Sequence, residues 1–242
     1  MKLNCDMGES YGNWTIGLDS EVMPWIDMAN IACGFHASDP DVMANTIQLA
    51  KQHQVEIGAH PGYNDKQGFG RRSIPHSFDQ IKNLVAYQIG AMQSMCALQQ
   101  CQLEYVKPHG ALYNDMMDSL EVFEAIVEAV ALTMDDPKLM LLATSDAQPY
   151  QSIAQQHQVE LIFEAFADRA YTAQGKLVPR TQEGAVLHDS SAIIQQVVSL
   201  ATFGSIRAID GSVLALEVDT ICVHGDNAES VQSVKAIKAA IS

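Results

Sequence analysis

Short apolar segments alternate with longer amphipathic segments along the whole chain. The short segments are aliphatic or β-branched and are bounded by Gly, Pro, Asp or His, which is typical of buried strands. The longer segments repeat their apolar residues with a period of about 3.6, which is typical of helices packed on one face. The pattern predicts seven strands, at residues 3–5, 28–33, 55–59, 104–107, 139–144, 159–163 and 220–223. It predicts helices at residues 40–53, 78–99, 119–130, 148–156, 190–202 and 229–241.

Repeated strand–helix units indicate a parallel sheet, which is either wound open or closed into a barrel. The chain has 242 residues, a length close to the ~250 residues typical of (β/α) barrels. A helix follows nearly every strand, and no linker divides the sequence. We therefore expect an α/β fold with a single (β/α) barrel domain over residues 1–242, built from seven strands. Gly175 and the pair Asp210 and Gly211 predict tight turns of small hairpins at the rim.

Charged residues and histidines gather just after the predicted strands. Ligand sites of parallel α/β folds lie at the carboxyl ends of the strands, and closure into a barrel brings those ends to one mouth. Four of the eight histidines occupy the same position in the strand–helix repeat, just after a predicted strand. Chance alone is a poor explanation for this recurrence. The residues at these positions are Asp6, Glu9, His36, Asp39, His60, Lys107, His109, Glu164, Asp168, Arg169, His224 and Asp226.

Two chemistries fit these residue types. Asp6, His36 and His60 could hold a divalent metal ion that activates water, because carboxylates and imidazoles suit such ions. Alternatively, the carboxylates and histidines could perform general acid–base catalysis without a metal. The sequence contains no G-x-x-x-x-G-K-[ST] motif, so the chain offers no recognisable phosphate-binding loop of its own.

Arginine is scarce, and four arginines lie in loops punctuated by glycine or proline: Arg71, Arg72, Arg169 and Arg180. They could bind a substrate carboxylate through two parallel hydrogen bonds, the alternative being surface ion pairs. The segment 62–72 is long for a connection between a strand and a helix, and it is long enough to fold over the barrel mouth.

Charge and cysteine usage narrow the class of protein. The chain has 14 Lys and Arg residues and 29 Asp and Glu residues, so its formal net charge is −15. Such a chain repels phosphate backbones and anionic lipids, which argues against nucleic-acid and membrane-surface binding. The five cysteines are scattered without a C-x-x-C pair, as in reduced intracellular proteins, and Cys33 and Cys222 are expected in the core. Asp6 stands where a signal peptide needs an apolar run. We therefore expect a soluble cytoplasmic protein.

Eight ordered motifs together resemble the LamB/YcsF family, and the resemblance extends from residue 3 to about residue 240. Ser38, where the family usually has Gly, and Asn64, where Pro is common, depart from the pattern without removing a candidate catalytic group. The motifs are LNCDMGESYG from Leu3, ANIACGFHASDP from Ala29, IGAHPGY from Ile57, GFGRR from Gly68, VKPHGALYN from Val106, EAFADRAY from Glu164, LVPR from Leu177 and ICVHGD from Ile221.

The resemblance implies a barrel related to the glycoside hydrolase and deacetylase superfamily. It also implies ATP-dependent opening of the lactam 5-oxo-L-proline to L-glutamate, performed together with partner B and C subunits. ATP would then be a co-substrate handled partly by the partners, which fits the missing phosphate-binding loop. The residues expected to be catalytic are Asp6, His36, His60, His109, Asp168 and His224. Those expected to bind substrate are Glu9, Arg71, Lys107, Arg169 and Asp226.

Two other functions stay open at this point. The superfamily analogy allows a metal-dependent, deacetylase-like hydrolase of C–N bonds that acts alone, although a shared fold is weak evidence for a function. A non-catalytic scaffold subunit that only binds its partners is the other alternative. It predicts that residues at the barrel mouth can be replaced without loss of the complex's activity.

Overall fold

Seven parallel strands form a closed barrel in the part of the chain that the structure describes, which comprises residues 1–179, 181–225 and 228–241. The structure is a computed structural model. The barrel order is β1-β2-β3-β4-β5-β6-β9, and β9 closes it by pairing with both β1 and β6. The strands are β1 (Lys2–Met7), β2 (Met28–Ala32), β3 (Glu56–His60), β4 (Tyr105–Val106), β5 (Lys138–Leu142), β6 (Glu160–Phe166), β7 (Ser205–Arg207), β8 (Val213–Ala215) and β9 (Thr220–Val223). The prediction of a seven-stranded (β/α) barrel is confirmed.

Helices surround the barrel, and several begin at side-chain caps. Asp39 accepts hydrogen bonds from two backbone N–H groups at the start of the second helix, and Ser77 forms a capping box with Gln80 at the start of the third. The helices are α1 (Asp19–Val22), α2 (Pro40–His53), α3 (Phe78–Leu98), α4 (Gly110–Asp118), α5 (Leu120–Thr133), α6 (Gln148–Gln156), α7 (Ser190–Phe203) and α8 (Ala228–Ile241), with a 3₁₀ helix at Met23–Trp25. Among the described residues, no helix is both long and apolar enough to cross a membrane.

The predicted strands and helices agree with the observed ones to within three residues at each end. Two helices were not predicted. α1 has four residues and α4 has nine, so neither repeats its apolar residues often enough to show a helical period. The predicted hairpin turns are confirmed. Gly211 lies between the antiparallel strands β7 and β8, and Gly175 lies between the bridged residues Tyr171 and Leu177.

The barrel interior is divided into an apolar end and a polar end. Side chains alternate between the two faces of each strand, so Leu3 and Cys5 join the large apolar core between barrel and helices, whereas Asn4 points inward. Nearer the amino ends of the strands, a separate apolar cluster fills the interior with Met28, Tyr105, Met140 and Ile162. Towards the carboxyl ends the interior side chains become polar, and this polar end opens at the mouth.

Candidate active site

A carboxylate and three imidazoles converge at the barrel mouth. Glu9 follows β1, His36 follows β2, His60 ends β3 and His109 follows β4; we call these four residues the histidine cluster. One potential ligand atom from each lies within 4.8 Å of the others. Glu9 Oε1 is 3.2 Å from His36 Nε2 and 3.4 Å from His109 Nδ1. The sequence predicted a metal set of Asp6, His36 and His60. The structure groups Glu9 and His109 with the two predicted histidines, and Asp6 Oδ2 lies 3.4 Å from His60 Nε2, so its role as a ligand stays a prediction.

Backbone carbonyls orient two of the rings. His60 Nδ1 donates to the carbonyl oxygen of Lys107 at 2.7 Å, and His109 Nε2 donates to that of Phe69 at 2.8 Å. Because a carbonyl oxygen only accepts, each of these nitrogens carries a proton. When both rings are neutral, the remaining nitrogens, His60 Nε2 and His109 Nδ1, carry lone pairs. These two atoms face one another at 3.0 Å. Two lone pairs at this distance need a proton or a metal cation beside them.

Two of these rings are electrically neutral over the physiological range. Burial, followed by the neighbouring His60 charge, lowers the pKa of His109 to about 3. Burial, followed by the neighbouring His109 and His60 charges, lowers the pKa of His36 well below its usual value. Neutral imidazole is the form that binds metal ions.

The loop formed by residues 62–72 packs on the histidine cluster, as its length predicted. The Phe69 ring meets His36 and His109 edge-on, with centroids 5.7 Å and 5.2 Å away. A Cβ at residue 70 would come within 2.7 Å of His36 Cβ and 2.8 Å of His109 Cδ2, and φ there is +63°. Gly70 is therefore required by both space and backbone conformation.

Lys107 provides a buried positive charge beside the cluster. The side chain is 2% exposed, and its Nζ lies 2.9 Å from Asp6 Oδ1 and 3.0 Å from Glu164 Oε2. Burial by itself would lower the pKa of Lys107, but the facing carboxylates of Asp6 and Glu164 raise it well above its usual value. The sequence predicted Cys222 as an ordinary core residue; it is buried, and its Sγ lies 3.4 Å from Lys107 Nζ inside the barrel.

Asp168 and His224 form a second acid–base pair at the mouth. His224 Nδ1 is 2.9 Å from Asp168 Oδ2, and each side chain is about one-fifth exposed. The His224 ring stacks on Phe166, which also lies 5.4 Å from Lys107 Nζ. A carboxylate that holds an imidazole in this way stabilises the protonated ring and fixes its orientation.

A cleft of about 1580 Å³ opens over these groups. His36 does not line it and lies behind His109, with the two rings stacked at 3.6 Å. Arg180 and Asp226 lie outside the described residues. The predicted residues that line the cleft are Asp6, Glu9, His60, Arg71, Lys107, His109, Asp168, Arg169 and His224.

The two predicted substrate-binding arginines have different surroundings. The Arg71 guanidinium lies 5.2 Å from the Phe69 ring centroid at the cleft. Arg169 is 7% exposed, and it donates to the backbone carbonyls of Val178 and Ala185 at 2.7 Å and 3.2 Å. Arg169 thus ties rim segments together, and its contact with a substrate stays a prediction.

Sequence reasoning missed several polar residues that build this site. Asn30 Nδ2 donates to Asn4 and to Asp6, both at 2.8 Å, and so fixes the Asp6 carboxylate. Asn4 and Asp6 are two residues apart in a strand, and that spacing indicates two polar side chains on the inner face. Tyr113, which also lines the cleft, gave no such signal because its helix was not predicted.

One match to the nucleophile-elbow motif G-x-S-x-G, the segment from Gly8 to Gly12, does not form an elbow. An elbow places the serine on a sharp turn between a strand and a helix. Here the segment leads into a hairpin in which Tyr11 and Trp14 exchange backbone hydrogen bonds. Ser10 Oγ accepts from the N–H of Ile16 at 3.0 Å. Serine-based hydrolysis is therefore not supported by this segment.

Comparisons with known proteins agree over the whole chain. A model of the LamB/YcsF family matches residues 1–242. A Vibrio vulnificus protein, named as the A subunit of 5-oxoprolinase, is 58% identical over 240 residues, covering 99% of this chain and 96% of that protein. A Chromohalobacter salexigens protein of the same name is 54% identical over 236 residues, covering 98% of this chain and 94% of that protein. The crystal structure of a lactam utilization protein from Thermus thermophilus has a TM-score of 0.92 at 35% identity, covering 100% of this chain and 95% of that one.

Proposed function

This chain belongs to the LamB/YcsF family, and we propose on that basis that it is the A subunit of an ATP-dependent 5-oxoprolinase. It converts 5-oxo-L-proline to L-glutamate, with hydrolysis of ATP to ADP and phosphate, together with B and C subunits. The observation that carries the proposal is a buried ammonium between acid–base groups at the barrel mouth, in a chain 58% identical to a protein with that name.

The site has the groups that opening a lactam requires. The amide of the ring is stabilised by resonance, and phosphorylation of its carbonyl oxygen by ATP makes the ring carbon electrophilic. Addition of one water to that carbon and cleavage of the C–N bond, with a proton delivered to nitrogen, give the acyl phosphate of L-glutamate, and a second water hydrolyses it to L-glutamate and phosphate. Asp6 and the histidine cluster take the proton from water, and the Asp168–His224 pair protonates the ring nitrogen. Lys107, with Arg71 and Arg169, stabilises the negative charge that develops.

The partner subunits contribute to the handling of ATP. The sequence has no phosphate-binding loop motif, and the cleft of about 1580 Å³ exceeds the ~300–1,000 Å³ of most small-molecule pockets. The cleft therefore has room for a second reactant or for a segment of a partner beside the lactam. Because ATP is a cytoplasmic metabolite, we place the protein in the cytoplasm.

The histidine cluster could hold a metal ion, and we propose that it binds a divalent transition metal. The facing lone pairs of His60 and His109 and the nearby Glu9 carboxylate form a donor set that suits such an ion. When bound, the ion would polarise a water molecule for attack. Elemental analysis of the purified chain should give about one ion per chain, and His60→Ala should abolish it. Wild-type protein that takes up no added Zn²⁺ or Mn²⁺ in calorimetric titrations would contradict this.

Reconstitution tests the proposed function. Glutamate and ADP release from 5-oxo-L-proline and ATP are measured with this chain alone, with the B and C subunits alone, and with all three. We expect turnover only from the three together. Robust lactam hydrolysis by the isolated chain without ATP would instead favour the metal-dependent hydrolase that acts alone. Full activity of complexes carrying substitutions at the mouth would favour a scaffold.

A further inference from the structure

The side chain of Tyr105 crosses strand β3 inside the barrel, and Gly58 makes the crossing possible. The pairing register places Asn30 of β2 beside Gly58 of β3, and Gly58 beside Tyr105 of β4. A Cβ at residue 58 would overlap the Tyr105 ring, so the ring occupies the space that a side chain there would fill. The Tyr105 hydroxyl thereby donates to Asn30 Oδ1 at 2.6 Å. A glycine, which weakens the interior of a strand, here permits contact between two strands that are not neighbours.

Asn30 connects this hydroxyl to Asp6. Tyr105 is 1% exposed and Asn30 is fully buried. Asn30 Nδ2 donates to Asp6 Oδ1 and to Asn4 Oδ1, both at 2.8 Å. Because a carboxylate only accepts, the amide nitrogen faces Asp6 and the amide oxygen faces Tyr105. Burial raises the pKa of Tyr105 well above its usual value, so the hydroxyl keeps its proton. It therefore holds the Asn30 amide in the orientation that donates to Asp6.

The two oxygens of Asp6 have different surroundings. Oδ1 accepts from Asn30 Nδ2 at 2.8 Å and from Lys107 Nζ at 2.9 Å. Oδ2 lies 3.4 Å from His60 Nε2, and the Asp6 side chain is about one-fifth exposed and lines the cleft. Since two buried donors occupy Oδ1, Oδ2 is the oxygen placed to take a proton from water.

We propose that Tyr105 is a positioning residue for lactam opening, which acts through Asn30 to hold Asp6 with Oδ2 towards the cleft. The proposal rests on the proposed function, in which Asp6 helps to take the proton from water. Neither Tyr105 nor Asn30 lines the cleft, so neither contacts the substrate. Loss of either should therefore slow the chemical step without weakening substrate binding.

The test measures kcat and KM for 5-oxo-L-proline by glutamate release from the reconstituted complex. Tyr105→Phe should lower kcat by about tenfold, because one orienting hydrogen bond is lost, and should leave KM unchanged. Asn30→Leu removes the donor to the carboxylate itself and should lower kcat by about 10–100-fold. The double variant should have the kcat of Asn30→Leu alone, because Tyr105 acts only through Asn30. A purely structural contribution of Tyr105 would not vanish in this way.

Tyr150→Phe is the matched control. The Tyr150 hydroxyl donates to the carbonyl oxygen of Met117 at 2.8 Å, away from Asp6, so its loss should leave kcat and KM unchanged. Thermal melts verify that the variants are folded, and if Asn30→Leu is not, the comparison of Tyr105→Phe with Tyr150→Phe decides the question.

Three results would overturn the proposal: an unchanged kcat in Tyr105→Phe, a raised KM in place of a lowered kcat, or a double variant in which the two losses of kcat multiply. Each requires a wild-type complex that turns over, and therefore leaves the proposed function standing. A wild-type complex that releases no glutamate would instead contradict the proposed function, and this proposal with it.

Discussion

Replacing Lys107 with Met removes the ammonium from between two carboxylates and leaves both in a poorly solvated site. Lys107 is 2% exposed, with contacts of 2.9 Å to Asp6 and 3.0 Å to Glu164. Removing one partner of a buried ion pair typically costs ~3–5 kcal/mol, because the remaining charge is uncompensated. For a chain of this size each kcal/mol lowers the melting temperature by ~2–4 °C. We therefore expect a fall of ~6–20 °C in Lys107→Met at neutral pH.

The destabilisation caused by Lys107→Met should depend on pH in a defined direction. Although burial by itself would raise the pKa of Asp6, the charges of His60 and Lys107 hold it well below its usual value. A lowered pKa in the folded state stabilises the protein above the unfolded value of ~3.9, and this stabilisation is lost as the pH falls. Lys107→Met lacks the part of this stabilisation that the ammonium provides. Its loss of unfolding free energy relative to wild type should therefore be largest at neutral pH and should shrink below about pH 4.

Lys2→Met is the matched control. Lys2 Nζ lies 2.6 Å from Glu56 Oε1, closer than either Lys107 contact, but the side chains are 51% and 40% exposed. An exposed pair contributes ~0–1 kcal/mol, so this variant should melt within a few degrees of wild type. Urea unfolding followed by circular dichroism measures both variants. If Lys107→Met loses no more stability than Lys2→Met, burial of the ion pair does not increase the destabilisation caused by losing its ammonium.

Two further substitutions test the surroundings of the site. In Gly58→Ala the new Cβ would overlap the Tyr105 ring, and such overpacking should lower the free energy of unfolding by ~1–3 kcal/mol in urea titrations; an unchanged value would contradict the described packing. Asp65 accepts from Gly68 N–H and binds Arg72, and the hydrogen bonds from Arg72 lower its pKa to about 2. Asp65→Asn should therefore be less stable than wild type above about pH 4, and the difference in melting temperature should vanish as the pH falls towards 2; a difference that persists at pH 2 would mean that the Asp65 charge is not its cause.

The barrel could be predicted from the sequence because its evidence is local. Each strand carries its own apolar run, and polar residues such as His60 and Lys107 mark the carboxyl ends of the strands. The backbone at Ser38 explains why the family usually has Gly at this position. Its φ is +72°, a conformation that Gly adopts more readily than other residues.

The pairing of side chains across the mouth could not be predicted in the same way. Which carboxylate lies among all three histidines depends on the loop after β1. That loop brings Glu9 to His36 and His109, whereas Asp6 contacts Lys107 and, at 3.4 Å, His60. Tyr113 lies beside Glu164 only because α4 packs against β5, the strand next to β6 in the barrel, and nothing local to residue 113 indicates this. Contacts between residues distant in the sequence require the assembled barrel.

His109→Ala in the reconstituted complex tests most directly whether lactam opening takes place at this mouth. The substitution removes an imidazole 3.0 Å from His60 and 3.4 Å from Glu9 without opening a gap in the main apolar core. His157→Ala is the control, since that ring lies on the outer surface, 3.8 Å from Glu124. Loss of a general acid–base group typically costs ~10²–10⁴-fold in rate, so glutamate release should fall by that factor in His109→Ala and stay at the wild-type rate in His157→Ala. A folded His109→Ala complex that releases glutamate at nearly the wild-type rate would show that the chemistry takes place elsewhere.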